Sequence, residues 1–313
     1  MPAALEPLVD EPGLVVENNI RVLVVADIHL GIEWDLGNSG IVVPSQSGQG
    51  LAKIMEYIDA TSPDRVVLLG DVKHNVPRIS WQEREEVPHF LESIAKRTAV
   101  DIVPGNHDGD MEFLLQRILP GLEVTLQPAR GFVLDGVGYF HGHTWPDPVL
   151  LSCDHIVMAH NHPTIRFTDP LGSSSAEPAW IRTRLNYKVL EAHFKAKAGD
   201  LPWSDPEVVI MPAFCQLCGG VAFNESLHDD LLGPVFSSGA VELDSAQAYL
   251  LDGTRLGKLS DLRKLGITKK RPDKRGKGGK RARSKSSTSS KNSKSSTSST
   301  SSTSSKSSTS STS

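Results

Sequence analysis

Five short apolar segments of this chain each stop at a cluster of polar residues that can bind metal or carry protons. The segments are residues 20–26, 65–69, 99–103, 138–140 and 155–159. Short continuous apolar runs are typical of strands that are covered on both faces. Because open α/β sheets bind ligands beyond the carboxyl ends of their strands, the pattern predicts one site assembled at five strand ends.

Helical patterns separate several of these segments. Apolar residues at positions 51, 54, 55 and 58 follow the helical period, and shorter stripes occur at 90–94 and 111–118. Asp135-Gly136, between two apolar runs, predicts a hairpin turn. After residue 160 the runs IRF, WIRTRLNYKV, EVVIM and, later, AVELD and AYLLDG favour strands over helices. The chain is therefore predicted to be an α/β protein with two sheets packed face to face and helices outside.

Charge divides the chain into two regions. Residues 269–313 hold 13 Lys or Arg and one Asp, so this tail is near +12, and residues 1–268 are near −16 for a total of −4. A body of about 265 residues is long enough for one large domain with a core. The tail, basic first and then rich in Ser and Thr, has no apolar surface to offset ordering entropy and is expected to be disordered. It could bind nucleic-acid phosphates or only improve solubility.

Three cysteines that cannot all pair, with no secretory signal, favour a reducing cytoplasm. No run approaches the length that would span a bilayer, so no membrane is expected. Cys215 and Cys218 form a CxxC pair, and a zinc site there would need Cys153 and His155 to complete it. Two buried small residues are the favoured interpretation of this pair.

The polar clusters offer oxygen and nitrogen donors and contain no cysteine. Seven of the eleven histidines lie in or beside them. This mixture suits manganese, iron, zinc or a mixed pair and argues against a soft-metal site. Two metals about 4 Å apart that share one carboxylate would use all of these ligands. The clusters are Asp27-Ile28-His29, Gly70-Asp71, Gly105-Asn106-His107-Asp108, His141-Gly142-His143 and Ala159-His160-Asn161-His162.

The order of these motifs resembles the calcineurin-like metallophosphoesterase superfamily. The runs GDVKH at 70–74, HGH at 141–143 and HNHP at 160–163 resemble its Icc-like branch, which includes ligase-associated DNA endonucleases. The resemblance covers roughly residues 20–165 through motifs. It implies a four-layer α/β/β/α sandwich, in which two packed mixed sheets with flanking helices occupy residues 1–268. One position departs from the pattern, since Ala159 stands where the superfamily usually has Gly.

The resemblance also implies roles for individual residues. Two divalent ions are expected, manganese first, with iron, zinc or magnesium as alternatives, and Asp71 would bridge them. His107 would approach the substrate phosphate and protonate the leaving oxygen, and Asp108 would orient it. Lys73 and His74 are candidates for contacts with the substrate phosphate. The implied ligands of the first metal are Asp27, His29 and His162, and those of the second are Asn106, His141 and His160.

The leading interpretation is hydrolysis of phosphodiester bonds by a hydroxide that bridges two metals, with DNA or RNA as the substrate. A second interpretation is a phosphatase or phosphodiesterase for small molecules such as nucleotides. A third is a metal-binding subunit of a DNA-repair complex without catalysis, and repair proteins are accordingly candidate partners. The His107-Asp108 pair argues against the third, because a scaffold has no use for it. The acidic body argues against unassisted binding of duplexes.

Overall fold

The computed structural model describes residues 3–195 and 200–267. Within them, two β-sheets pack face to face and helices cover their outer faces, which confirms the predicted four-layer α/β architecture. The tail of residues 269–313, for which the sequence predicts disorder, lies outside the described residues. No helix in the described part of the chain is long and apolar enough to cross a membrane.

The first sheet has six strands that follow chain order. They are β1 (Ala4–Pro7), β2 (Gly13–Glu17), β3 (Arg21–Ala26), β4 (Arg65–Leu69), β5 (Ala99–Val103) and β6 (Val124–Leu126). Strands β1 to β3 pair antiparallel, whereas β3 to β6 run parallel. The carboxyl ends of β3, β4 and β5 therefore lie at the same edge of the sheet.

The second sheet has nine strands and is also mixed. They are β7 (Phe132–Leu134), β8 (Val137–Tyr139), β9 (His155–Met158), β10 (Pro163–Thr168), β11 (Ser174–Arg184), β12 (Glu207–Ile210), β13 (Val221–Ala222), β14 (Gln247–Leu250) and β15 (Arg255–Lys258). The main order is β13-β10-β11-β12-β9-β8-β7, and β14 pairs with β11 and β15. Strands β8, β9 and β12 run parallel, so the chain leaves β8 and β9 at the same edge.

Three apolar cores separate the layers and explain the sequence pattern. Val22 and Val24 of β3 face the second sheet, whereas Leu23 and Val25 face the helices. Both faces of the strand are buried, so the run is continuously apolar instead of alternating.

The helices are α1 (Ile32–Asn38), α2 (Ser47–Thr61), α3 (Trp81–Ala95), α4 (Met111–Leu115), α5 (Tyr187–Phe194), α6 (Pro234–Ser237) and α7 (Leu259–Ile267), with 3₁₀ turns at Pro148–Ser152 and His228–Asp230.

Several predicted elements are confirmed, and two strand predictions are wrong, since AVELD at 240–244 holds only an isolated bridge from Val241 to Leu185 and a longer run is interrupted by a helix. The strands at 65–69 and 99–103 have the predicted bounds, and the Asp135-Gly136 turn joins β7 to β8. The run WIRTRLNYKV was predicted to be a strand throughout, but β11 ends at Arg184 and α5 begins at Tyr187. The Asn186 side chain accepts hydrogen bonds from the amides of Lys188 and Val189, and this N-cap starts the helix.

Candidate metal centre

Side chains that follow strands of both sheets contact one another at a single edge of the molecule. Asp27, which follows β3, places Oδ1 2.8 Å from Nε2 of His141, which follows β8. The amide of His160, which follows β9, donates to Asp27 Oδ2 at 3.3 Å. Asp27 therefore links the two sheets where their ligand-bearing loops meet.

One group of ligand atoms, here called cluster A, comprises Asp27, His29, Asp71 and His162. Its four ligand atoms all lie within 4.8 Å of one another. The Nε2 atoms of His29 and His162 are 3.3 Å apart, and Nε2 of His162 lies 3.5 Å from Asp27 Oδ1. These are the residues that the resemblance assigns to the first metal, together with the bridging carboxylate.

A second group, here called cluster B, comprises Asp71, His141 and His160. Its ligand atoms also lie within 4.8 Å of one another. His141 Nε2 is 3.7 Å from Asp71 Oδ2, and the buried Nδ1 atom of His160 makes no hydrogen bond among the described residues. Asp71 belongs to both groups, which is the arrangement that two cations sharing one carboxylate require.

Two glycines allow the loops around Asp71 to approach this closely. A Cβ atom on Gly70 would lie 2.0 Å from Cδ2 of His141, and one on Gly105 would lie 2.1 Å from Oδ1 of Asp71. Neither position can carry a larger residue without displacing a ligand. The next residue, Asn106, is exposed. Its role as an oxygen ligand of the second metal stays a prediction.

The backbone at the candidate ligands is strained. Left-handed φ angles are sparsely populated by residues other than Gly and cost of order 1–3 kcal/mol each unless the surroundings stabilise them. Such residues concentrate at functional sites, so this pattern marks the cluster independently of side-chain chemistry. The ligands concerned are Asp27 (φ 53°), His29 (φ 52°), Asp71 (φ 47°), His160 (φ 81°) and His162 (φ 43°).

Burial and neighbouring charges set the protonation states of the candidate ligands so that they can bind cations. Burial lowers the pKa of His29 to about 2 and that of His160 to about 3, so both imidazoles are in the neutral form that binds metal. Burial would raise the pKa of Asp27, but hydrogen bonds from His141 and His162 hold it well below its usual range. A charged carboxylate among inward-facing ring nitrogens matches the donor set that hard and borderline divalent ions prefer.

His107 lies beside both clusters without belonging to either. Its amide donates to Asp71 Oδ1 at 2.9 Å, and its ring packs edge-on against that of His29 at a centroid distance of 5.0 Å. Nδ1 of His107 contacts the carbonyl oxygen of His74. Because a carbonyl only accepts, this contact places a proton on Nδ1 and leaves Nε2 to exchange a proton.

Asp108 has a different environment from the one that the sequence suggested. It was expected to orient the His107 imidazole. Its buried carboxylate instead accepts hydrogen bonds from the amides of Gly105, Lys73 and Val72 at 2.8, 3.1 and 3.2 Å. Asp108 thus ties the loop after β5 to the loop after β4, and the carbonyl of His74 is the group that faces the His107 ring.

Lys73 is buried, with 1% of its surface exposed. Its ammonium group donates to the carbonyl of Asn75 at 2.8 Å and to the carbonyl of His107. These contacts support a positioning role for Lys73. The predicted contact of Lys73 with substrate phosphate, for which its third N–H donor would be left, stays a prediction.

Glu83, a residue that the sequence analysis missed, supports His74. The Glu83 carboxylate accepts from the amides of His74 and Asn75 at 3.0 and 2.7 Å, and it forms a capping box with Ser80 at the start of α3. His74 Nδ1 in turn lies 3.1 Å from Nδ1 of His29. The Ser-x-x-Glu pattern at 80–83 is the signal that could have located this helix start, which lies before the stripe at 90–94.

The CxxC pair lies next to cluster A. Cys218 Sγ falls within 4.8 Å of ligand atoms of His29 and His162. The sequence had named Cys153 and His155 as the residues that would have to complete a zinc site there. Cys218 follows His29 by nearly two hundred residues, so no local spacing could have indicated this contact.

A cavity of about 420 Å³ opens beside His29. Its wall includes the aromatic side chains of Tyr57 and Phe214 and the amides of Gln46 and Gln49. The two aromatic rings pack edge-on at a centroid distance of 6.3 Å. Its volume falls within the usual range for small-molecule pockets, and its lining combines apolar and hydrogen-bonding groups.

Comparison with known proteins finds a family whose model matches more than half of the chain. The model of the calcineurin-like phosphoesterase family matches residues 20–215. A solved structure, the nuclease MPE of Pseudomonas putida, is 16% identical and has a TM-score of 0.44, covering 80% of this chain and 98% of its own. The phosphoesterase Yfce from E. coli is 17% identical and has a TM-score of 0.30, covering 49% of this chain and 80% of its own. No curated protein matches the chain.

Proposed function

Because the chain belongs to the calcineurin-like phosphoesterase family, we propose that it hydrolyses phosphodiester bonds with two divalent cations. One cation would be held by cluster A and the other by cluster B together with Asn106. The observation that carries this proposal is the position of Asp71, whose carboxylate belongs to both clusters. Its Oδ2 lies 3.8 Å from Nε2 of His29 and 3.7 Å from Nε2 of His141. Manganese is the first choice because the family resemblance favours it, and iron and zinc also suit this set of oxygen and nitrogen donors.

The protein's own side chains would supply the remaining steps. When bound, the two cations would neutralise charge on the ester and activate a water molecule. His107 would transfer a proton from Nε2 to the leaving oxygen, since Nδ1 faces the carbonyl of His74. Lys73 and Asp108 would hold the loop after β4 against the loop after β5 through their contacts with backbone groups. The imidazole rings of His74 and His107 stack on each other at a centroid distance of 5.2 Å.

Nucleic acid is the substrate class that we place first. Support comes from the resemblance to DNA endonucleases and from the basic residues of the tail, near +12. A body near −16 would repel a polyanion, so the tail would supply the attraction. A chain ending after Ile267 should then keep hydrolysis of a small diester but bind DNA more weakly and with a flatter salt dependence. A location in the cytoplasm and partners among DNA-repair proteins stay predictions of the sequence.

The cavity beside His29 favours a second candidate, a phosphodiesterase for nucleotides. A space of about 420 Å³ can take one base and sugar but not a duplex. Gln49→Trp would place a bulky ring in the cavity wall. If nucleotides bind there, this variant should lose nucleotide hydrolysis while it still cleaves an activated diester.

Metal-free protein tests the proposed function directly. The full-length chain is reconstituted separately with Mn²⁺, Mg²⁺ and Zn²⁺ and offered a nitrophenyl diester, a nitrophenyl monoester, nucleotide diesters, single-stranded DNA and duplex DNA. We expect metal-dependent cleavage of diesters. No hydrolysis of any substrate with any of the three metals would overturn the proposal.

A further inference from the structure

Cys218 brings a thiol to a group of ligands that is otherwise made of oxygen and nitrogen. Its Sγ atom and ligand atoms of His29 and His162 all lie within 4.8 Å of one another. These two imidazoles are the members of cluster A whose Nε2 atoms are 3.3 Å apart. A cation held by these imidazoles would therefore have a sulfur atom close by.

The backbone before Cys218 is fixed to the strand that carries two of the ligands. The amide of Phe214 donates to the carbonyl of Ala26 at 2.8 Å, and the amide of Cys215 donates to the carbonyl of Asp27 at 3.1 Å. The segment thus runs directly alongside the end of β3. Its position depends on the main chain of Asp27, itself a member of cluster A.

The backbone after Cys218 is packed against another ligand. His162 Nδ1 lies 3.2 Å from the carbonyl oxygen of Gly219, to which it can donate. A Cβ atom on Gly220 would lie 2.4 Å from the carbonyl oxygen of His162, so only Gly allows this approach. The contact to Gly219 also places a proton on Nδ1, which leaves Nε2 of His162 free to bind metal.

We propose that Cys218 is a thiolate ligand of the cation at cluster A and gives this position a preference for zinc, cobalt or iron over manganese. The inference rests on the proposed function, because it assumes that cluster A holds a cation. On binding, the S–H bond of Cys218 breaks, its proton passes to solvent, and a sulfur electron pair forms the bond to the metal. The thiol gives up its present contacts with the carbonyls of Cys215 and Gly219, at 3.1 and 3.7 Å. Thiolates favour zinc, whereas oxygen donors suit manganese and magnesium.

Cobalt(II) is the probe, because a cobalt–thiolate bond gives a charge-transfer band in the near ultraviolet that oxygen and nitrogen ligands do not. The full-length protein is loaded with Co²⁺, and bound metal is counted on the same sample. We expect visible ligand-field bands from bound cobalt together with the charge-transfer band. In Cys218→Ser the charge-transfer band should disappear while the ligand-field bands remain. Cys153→Ser, which alters a buried thiol outside both clusters, should leave both sets of bands unchanged.

The outcomes separate this inference from the function on which it rests. Two bound cobalt ions without a charge-transfer band, or a band that persists in Cys218→Ser, would overturn thiolate ligation and leave the two-metal proposal standing. A failure of the wild-type protein to bind cobalt, zinc or manganese would overturn both, whereas binding of manganese alone would overturn only thiolate ligation. In a mixture of Zn²⁺ and Mn²⁺, Cys218→Ser should reduce the preference for zinc by at least roughly 10-fold, the smallest loss typical when even an outer-shell partner of a metal ligand is removed.

A second measurement needs no variant and so does not depend on whether Cys218→Ser folds. Wild-type protein is alkylated with iodoacetamide with and without Zn²⁺, and the modified peptides are identified by mass. Zinc should slow the modification of Cys218 several-fold and leave that of Cys153 unchanged. Equal rates for Cys218 in the two samples, at full zinc occupancy, would overturn the inference.

Discussion

Clusters A and B share one carboxylate but lie in different surroundings. The three ligands of cluster B are buried: His141 is 0% exposed, Asp71 is 2% exposed and His160 is 9% exposed. Cluster A opens outwards, because the His162 side chain is 15% exposed, His29 lines a cavity, and Cys218 adjoins both imidazoles. Apart from Asn106, whose ligation of the second cation stays a prediction, cluster A is therefore the more open of the two groups.

The largest effect should come from removing the residue that the two clusters share. Asp71→Ala should abolish turnover and lower bound metal towards zero, because both positions lose a carboxylate oxygen. Bound metal and hydrolysis of a nitrophenyl diester are measured on one sample. Asp244→Ala is the control, since this exposed residue pairs only with Arg263 among its described ion pairs. Full activity of Asp71→Ala would refute the shared carboxylate, and with it the comparison of A with B.

The next largest effect should distinguish the clusters. His141→Ala and His162→Ala should each lower bound metal from two ions to one, because each removes a ligand of a single cluster. They should differ in stability, since deletion of the fully buried His141 ring leaves an internal cavity that costs about 2 kcal/mol or more. Metal content and urea unfolding are compared with those of His89→Ala, an exposed residue of α3. Equal stability losses would show that B is no more sealed than A.

The strands that precede the ligands could be predicted because a strand buried on both faces has a continuously apolar sequence. In 65–69 and 99–103 the runs RVVLL and AVDIV have few polar interruptions, and the bounds of β4 and β5 match them residue for residue. The strand predicted throughout WIRTRLNYKV was wrong, because this run has apolar residues on both sides of a helix start. The side chain of Asn186 caps the amino end of α5, and its hydrogen bonds make the segment helical from Tyr187. They outweigh the preference of Tyr187 and Val189 for strands.

The site was predictable to the extent that its residues follow strands. Asp27 and Asp71 come together because neighbouring parallel strands end at one edge, a consequence of topology that motifs can anticipate, and His141 meets them from the end of β8 in the second sheet. The partners of Asp108 and Cys218 could not be anticipated. Asp108 is adjacent to His107 in sequence but turns towards amides of another loop, and Cys218 reaches His29 only through the packing of its segment on β3.

His107→Asn should have an intermediate effect and should leave both clusters occupied. Loss of a general acid typically costs about 10²–10⁴-fold, and mostly where the leaving oxygen is a poor leaving group. Cleavage of DNA should therefore fall far more than cleavage of a nitrophenyl diester. Rates on both substrates are measured with metal content on the same sample. Loss of metal would make His107 a ligand beside cluster A, and equal rate losses would mean that it stabilises phosphate charge instead.

The smallest effect should come from Glu83, which supports His74 beside cluster A. Ser80→Ala removes the N-cap of α3 and should cost about 0.5–2 kcal/mol of stability without freeing the His74 amide. Glu83→Ala removes its half of the capping box and also the contacts with the amides of His74 and Asn75, so it should lower stability and loosen His74 beside His29. We therefore expect weaker metal binding at cluster A in Glu83→Ala alone, with cluster B unchanged in both variants.

Urea unfolding and metal titration of the two variants and of Glu85→Ala, an exposed neighbour paired with Arg117, provide the comparison. If Ser80→Ala weakened cluster A as much as Glu83→Ala, helix stability would account for the effect, and the support of His29 through His74 would have to be abandoned.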